Sequence, residues 1–290
     1  MKGIKNIFTV DVEEYFQVEA FSKYIEKKDW DKYPGRVEES TIRLLEILDR
    51  YNVRGTFFIL GWLAERNQEL VKKISDLGHE VASHGYEHTM ITKMTPEEFR
   101  KDIRKSKDIL EEITNKGVMG YRAPTFSIVK KTSWSYEILL EEGYSYSSSV
   151  YPIYHDRYGW PEFGPIPREV ATNENGGLWE IPLSVFFFGK IKIPFGGGGY
   201  LRSYPLFITR SLIQNFNREE KPVIVYVHPW ELDSHQPKIR APYSRRLRHS
   251  LGIVKMERKL LGVLQSGEFG TVAQFLEGKG CREREQPGKW

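Results

Sequence analysis

At 290 residues, with 40% hydrophobic and 28% charged side chains, the chain has the make-up of a globular protein able to bury a core as one large domain or two small ones. Its 43 basic and 39 acidic residues leave a net charge of +4, with the excess around 240–248 and 255–259; that is too diffuse for a nucleic-acid partner and reads as a solvated helix face. Cys281 is the only cysteine, which excludes an intrachain disulfide framework and a multi-thiolate metal site.

The N-terminus runs straight into a strand-like Ile7-Phe8-Thr9-Val10, without the apolar stretch and small-residue cleavage site of a secretory signal. No run approaches the roughly 20 apolar residues that span a bilayer, so the expected compartment is the cytoplasm. Short apolar runs over 7–12, 55–60, 80–83, 120–123, 146–148, 178–181 and 223–227 predict strands. Between them, helical periodicity predicts helices over 40–50, 96–113, 206–217 and 254–264. The second of these opens with Thr95 as N-cap and Glu98 at the capping-box position. Such alternation predicts an α/β fold of βα units around a parallel sheet or barrel.

The segment 151–177 reads as a long irregular loop of Pro, Gly and aromatics, the kind that forms lids or binding surfaces. The glycine run Gly196–Gly199 lacks a Walker lysine, so close backbone approach to a bulky ligand is its expected use. Phe186-Phe187-Phe188 reads as core, and Trp160 and Tyr200 as rings able to stack on sugar. After Trp230 the sequence turns basic and helical, then 270–276 reads as a closing strand and helix, with a frayed tail from Gly278. His79, His155, His235 and His249 read as structural or solvated.

The chemistry concentrates in four stretches. His84 and His88, four residues apart, can meet one metal ion, and a carboxylate from Asp11-Val12-Glu13-Glu14 can complete a set that leaves a coordination position open. In a strand, Asp11 and Glu13 share a face while Glu14 points away, which favours Glu13 over Glu14 as the ligand. Asp11, His84, Arg122 and His228 each fall at or just past the C-terminal end of a strand, the rim where α/β folds bind ligands.

Taken in order, Thr9–Glu13, His84–His88, Gly120-Tyr121-Arg122-Ala123-Pro124-Thr125-Phe126 and Val225-Tyr226-Val227-His228-Pro229-Trp230 resemble the polysaccharide deacetylase family, carbohydrate esterase family 4 or NodB-homology domain. Further stretches, among them 179–184 and 244–251, look like the subfamily of exopolysaccharide and exosortase loci. The resemblance implies a distorted (β/α) barrel of about seven strands over residues 1–230, a basic helical extension over 231–290 packing on it, and metal-dependent removal of N-acetyl groups from an oligo- or polysaccharide. It implies Asp11 as general base, Glu13, His84 and His88 as ligands of zinc (Co, Ni or Mn as alternatives), Arg122 orienting Asp11, and His228 as general acid. Thr125 would offer an oxyanion amide, and Trp230 and Tyr200 would contact substrate. The first motif departs from the family's adjacent aspartates, and the tryptophan-bearing fourth motif is not recognisable, which leaves Glu180 as the candidate partner of His228. Two other readings stay open: a metal-independent hydrolase of cyclic amides such as allantoin on the same fold, and a saccharide-binding protein without turnover. Oligomerisation is left open.

Overall fold

Strand β1 (Lys5–Val12) is buried from Asn6 onward, on both faces, as its near-continuous apolar run requires of a central parallel strand. The computed structural model describes residues 5–155, 157–174, 176–189 and 191–278; Cys281 and the expected frayed tail, apart from its first residue Gly278, lie outside these. The other strands are β2 (Thr56–Ile59), β3 (Glu80–Ser83), β4 (Gly120–Tyr121), β5 (Tyr146–Ser147), β6 (Arg168–Asn173), β7 (Gly176–Glu180), β8 (Val185–Phe188), β9 (Ile191–Pro194), β10 (Ile224–Val227) and β11 (Glu268–Gly270). The helices are α1 (Val37–Arg50), α2 (Gly61–Arg66), α3 (Gln68–Asp76), α4 (Pro96–Thr114), α5 (Ser135–Glu141), α6 (Gly198–Ser203), α7 (Leu206–Arg218), α8 (Tyr243–Ser250), α9 (Met256–Leu264) and α10 (Val272–Gly278).

The main sheet runs β10-β1-β2-β3-β4-β5-β7-β6, parallel from β10 through β7, with β6 antiparallel at the end and β11 beside the first residues of β1. All seven strands expected from the sequence are in that parallel run, in an α/β fold. Between β7 and β10 the wall is carried by loop backbone: Tyr226 N–H donates to Gly196 O at 3.0 Å, and Ile224 N–H donates to Ser184 Oγ at 2.8 Å. A Cβ on Gly197 would stand 2.2 Å from Tyr226 O. At Gly197 the run serves close approach to a strand, while Gly198 and Gly199 line a cavity, as an approach to a ligand would require.

Strand parity sorts the interior. Ile7, Phe58, Ala82, Tyr146, Ile181, Ile224 and Tyr226 form one cluster inside the curved sheet. Their neighbours Phe8, Val10, Phe57, Tyr121 and Val225 face the helices, where they meet Leu44 and Leu48 of α1, Ile74 of α3 and Phe99, Ile103 and Leu110 of α4. Helix α4 begins as its sequence predicts, with the Thr95–Glu98 capping box and Pro96 in the first turn, and it stops at Asn115 in the left-handed region.

Three expectations fail. Strand β6 lies in the segment read as irregular; its Arg-Glu-Val-Ala-Thr-Asn sequence is too polar to announce a strand. Phe187 and Phe188 are 44% and 68% exposed on the β8–β9 hairpin, outside the core. Trp160 is half-buried against Phe163, with ring centroids 5.1 Å apart. Beyond residue 230 the chain folds back: α9 lies on α7, α8 touches the turn at Glu19–Phe21, and β11 joins β1.

Candidate active site

Inner parity carries straight into the site. Thr9, Asp11 and Glu13 continue the series begun by Ile7, His84 follows Ala82, Arg122 follows Gly120, and His228 follows Tyr226. Each of these groups emerges at the C-terminal end of its strand, and all are buried or nearly so. Glu14, of opposite parity, turns outward: its Oε1 accepts the backbone N–H of Arg36 at 2.7 Å and of Val37 at 3.0 Å, at the N-terminus of α1. Burial nevertheless pushes its carboxyl above the usual range.

Glu13, His84 and His88 offer ligand atoms that all lie within 4.8 Å of one another. Ligands about 2.1 Å from a zinc ion stand roughly 3.4 Å apart, so modest side-chain adjustment closes the set. The donor chemistry fits. His84 Nδ1 lies 2.8 Å from Arg122 O, which makes Nδ1 the N–H and leaves Nε2 unprotonated for a cation. Burial holds the His84 pKa down to about 4, so the imidazole is neutral. His88 Nε2 lies 2.8 Å from Glu13 Oε2. For Glu13, burial works toward protonation, but the neighbouring histidines, His88 above all, bring the carboxyl down to about 2. The loop that carries both histidines is pinned by Asp102, whose Oδ2 accepts Tyr86 N–H at 3.0 Å. His88 itself has φ 52°, a left-handed backbone that costs a non-glycine residue roughly 1–2 kcal/mol.

Arg122, fully buried, fixes the second half of the site. Its Nη1 donates to Asp11 Oδ1 at 2.7 Å and to Thr9 Oγ1 at 2.8 Å, its Nε to Ser148 O at 2.9 Å, and its Nη2 to Ser148 Oγ at 2.9 Å. The guanidinium also lies 4.1 Å over the Phe58 ring. Asp11 thus has one oxygen held and the other, Oδ2, 3.9 Å from His228 Nε2. His228 Nε2 stands 3.6 Å from Glu13 Oε1.

The carboxylate behind His228 is Glu231, not Glu180. Glu231 Oε2 lies 3.5 Å from His228 Nδ1 and accepts its backbone N–H at 3.1 Å, while Oε1 lies 2.8 Å from Arg202 Nε. Glu180 instead accepts the amides of Ser149 and Val150, both at 2.8 Å. Burial opposes the charge on His228, yet Glu231, Glu13 and Asp11 together lift its pKa to about 9. Glu231 is reached from α6 through Arg202, 29 positions earlier, and nothing local in the sequence announces that pair.

Trp230 is buried, donates Nε1–H to Glu13 Oε1 at 3.2 Å, and stacks between His228 and His249 at 5.2 and 4.3 Å. It therefore touches the Glu13 carboxylate as well as the cleft. Thr125, with φ 57°, and Tyr200 line the same cavity as Asp11, Glu13, His84, His88 and His228, a cleft of about 890 Å³.

Residues 29–143 match the family described as polysaccharide deacetylase, and residues 148–277 match a domain of unknown function, DUF3473. A peptidoglycan deacetylase of Helicobacter pylori is 34% identical over 108 residues, 37% of this chain and 36% of that protein. A peptidoglycan-N-acetylglucosamine deacetylase of Bacillus cereus is 33% identical over 100 residues, 34% of this chain and 36% of that protein. The alignments thus span about a third of the length of each relative. A solved Mycobacterium smegmatis structure assigned as a polysaccharide deacetylase superposes with a TM-score of 0.62 at 20% identity, covering 100% of this chain and 96% of the other, and shows the same fold. Over residues 29–143 the chain carries the polysaccharide deacetylase family match, and its fold as a whole is that of the Mycobacterium smegmatis structure.

Proposed function

We propose that this protein removes N-acetyl groups from an amino sugar of a polysaccharide or its precursor, with Glu13, His84 and His88 holding a divalent metal ion. The observation that carries this reading is the convergence, at one rim, of a His–Glu–His cluster with an arginine-held carboxylate and a carboxylate-backed histidine. Two neutral nitrogens and a carboxylate suit zinc, with Co, Ni and Mn as alternatives. When bound, the ion supplies Lewis acidity for the amide carbonyl and acidifies water.

The chain's own groups handle the protons. Asp11, oriented by Arg122, accepts a proton from the attacking water as its oxygen bonds to the acetyl carbon. The carbon–nitrogen bond then breaks with its electron pair going to nitrogen, an amine that leaves poorly unless protonated. His228 gives that proton from Nε2, and Glu231 behind Nδ1 compensates the imidazolium charge beforehand. The products are acetate and a free amino sugar. Acid and base assistance of this kind typically contribute roughly 10²–10⁴-fold. Thr125 and Tyr200 border the space for the sugar, and Trp230 forms its floor beside Glu13.

Hydrolysis of a cyclic amide without a metal would leave the His–Glu–His cluster without a task. Saccharide binding alone would leave Asp11 and His228 without one. No helix among the described residues is long and apolar enough to cross a membrane.

The test is acetate release from N-acetylglucosamine oligomers by zinc-loaded protein, with bound metal measured in parallel. The His84→Ala/His88→Ala double variant is expected to lose both metal and turnover. Retained acetate release in that variant would overturn the metal-hydrolysis reading.

A further inference from the structure

The cleft carries more positive charge than its chemistry uses. Its carboxylates are Asp11, Glu13, Glu19 and Glu231, and each is committed. Asp11 is paired with Arg122, Glu13 with the histidines, Glu19 with Lys93 at 3.0 Å, and Glu231 with Arg202. Lys23, Arg157, Arg245 and Arg248 also line the cleft, and among the described residues none of the four has an ion-pair partner.

Lys23 follows the turn at Glu19–Phe21, and Arg245 and Arg248 lie on α8, which contacts that turn. There Arg245 Nη1 donates to Ala20 O at 3.4 Å, which leaves its charge without a carboxylate. Arg157 and Arg248 both act on the Tyr158 phenol: burial raises its pKa, and the two guanidiniums pull the other way. A second cavity of about 870 Å³ shares Lys23, His88, Arg157 and Tyr158 with the first, so the groove continues past the metal-ligand loop. There the carboxylates are again Glu19 and Glu26, the latter paired with Lys28 at 2.6 Å, while Lys131 adds a further cation. A neutral glycan would give these groups nothing to pair with. Guanidinium groups match the oxygen forks of carboxylates and phosphates.

We propose that the substrate of this groove is an anionic glycan, with a carboxylate or phosphate on or beside the N-acetylated sugar, held by Lys23, Arg157, Arg245 and Arg248. This rests on the deacetylase reading of the same site.

The experiment compares three probes on the zinc-loaded full chain: the neutral hexamer of N-acetylglucosamine, a hexasaccharide alternating glucuronate with N-acetylglucosamine, and UDP-N-acetylglucosamine. Acetate release is followed at low and high salt for the parent, for Arg245→Gln/Arg248→Gln, and for Lys23→Gln. At least one anionic probe is expected to exceed the neutral hexamer in kcat/KM by roughly tenfold or more, through KM. High salt and either variant should shrink that preference, lowering use of the anionic probe more than use of the neutral hexamer. Preference for the glucuronate probe assigns the anion to the polymer, and preference for the nucleotide sugar assigns it to a phosphate-linked precursor. Equal or better use of the neutral hexamer, or a preference untouched by both variants, would overturn the inference. Should no probe lose acetate, calorimetric binding decides. Salt-sensitive binding of an anionic probe that weakens in the variants supports the charge inference and rejects the deacetylase reading; no such binding rejects the inference.

Discussion

Arg122 shows how much one side chain settles. Replacing it by alanine removes the partner of a buried carboxylate, and breaking such a pair costs roughly 3–5 kcal/mol. Arg122→Ala is therefore expected to lower the urea midpoint sharply. Arg122→Lys retains the charge without the fork and is expected to unfold later than the alanine variant, yet to lose activity by roughly 10²-fold through misplacement of Asp11. Glu231→Gln tests the other end of the site. It should lower kcat, by up to the roughly 10²–10⁴-fold that acid assistance contributes, with little change in KM. An unchanged kcat would remove Glu231 from the mechanism. At this scale the sequence was readable wherever spacing encoded geometry. Strand parity alone separated Glu13 from Glu14. It was unreadable for Glu231, whose partner Arg202 arrives from a helix that the sequence did not reveal.

Among elements, the β2–β3 unit carries a pH dependence. His79, before β3, accepts Gly55 N–H through Nδ1 at 3.2 Å, and burial holds its pKa down to about 4. The unfolded chain binds a proton near pH 6.5 that the folded chain refuses until about pH 4. This contribution to stability is therefore complete above roughly pH 6.5 and is lost as pH falls toward 4. Urea titrations across that window should show a smaller loss in His79→Gln than in the parent. Elements with strong periodicity, such as β1, β10 and α4, were legible to within a few residues. Weakly patterned ones were not: β6 is polar, and the three phenylalanines of β8 suggested burial although the hairpin has only one covered face. Gly197→Ala should damage the wall between β7 and β10, since the new methyl would meet the Tyr226 carbonyl. A clear drop in melting temperature is the expected result.

Across the whole molecule, the two matched regions divide the site between them. Residues 29–143 bring His84, His88, Arg122 and Thr125, residues 148–277 bring Tyr200, Arg202, His228, Trp230 and Glu231, and Asp11 and Glu13 precede both. The basic stretch over 240–248, read from the sequence as a solvated face, is solvated, and it also borders the cleft because α8 returns to the turn at Glu19–Phe21. A chain ending at residue 147 lacks β10 and β11 and leaves β1 with an open edge, so it is expected to aggregate in light-scattering measurements and to release no acetate.

The hydrogen bond from His84 to the carbonyl of Arg122 joins the two halves of the site within the first of these regions. One end of Arg122 sets the tautomer of His84, and the other end aims the carboxylate of Asp11. In the proposed reaction, ion affinity and proton affinity would therefore be linked through a single residue: a displacement of the turn after β4 would change both, and whatever effect ion binding had on the proton affinity of Asp11 would be returned by protonation of Asp11 on ion affinity.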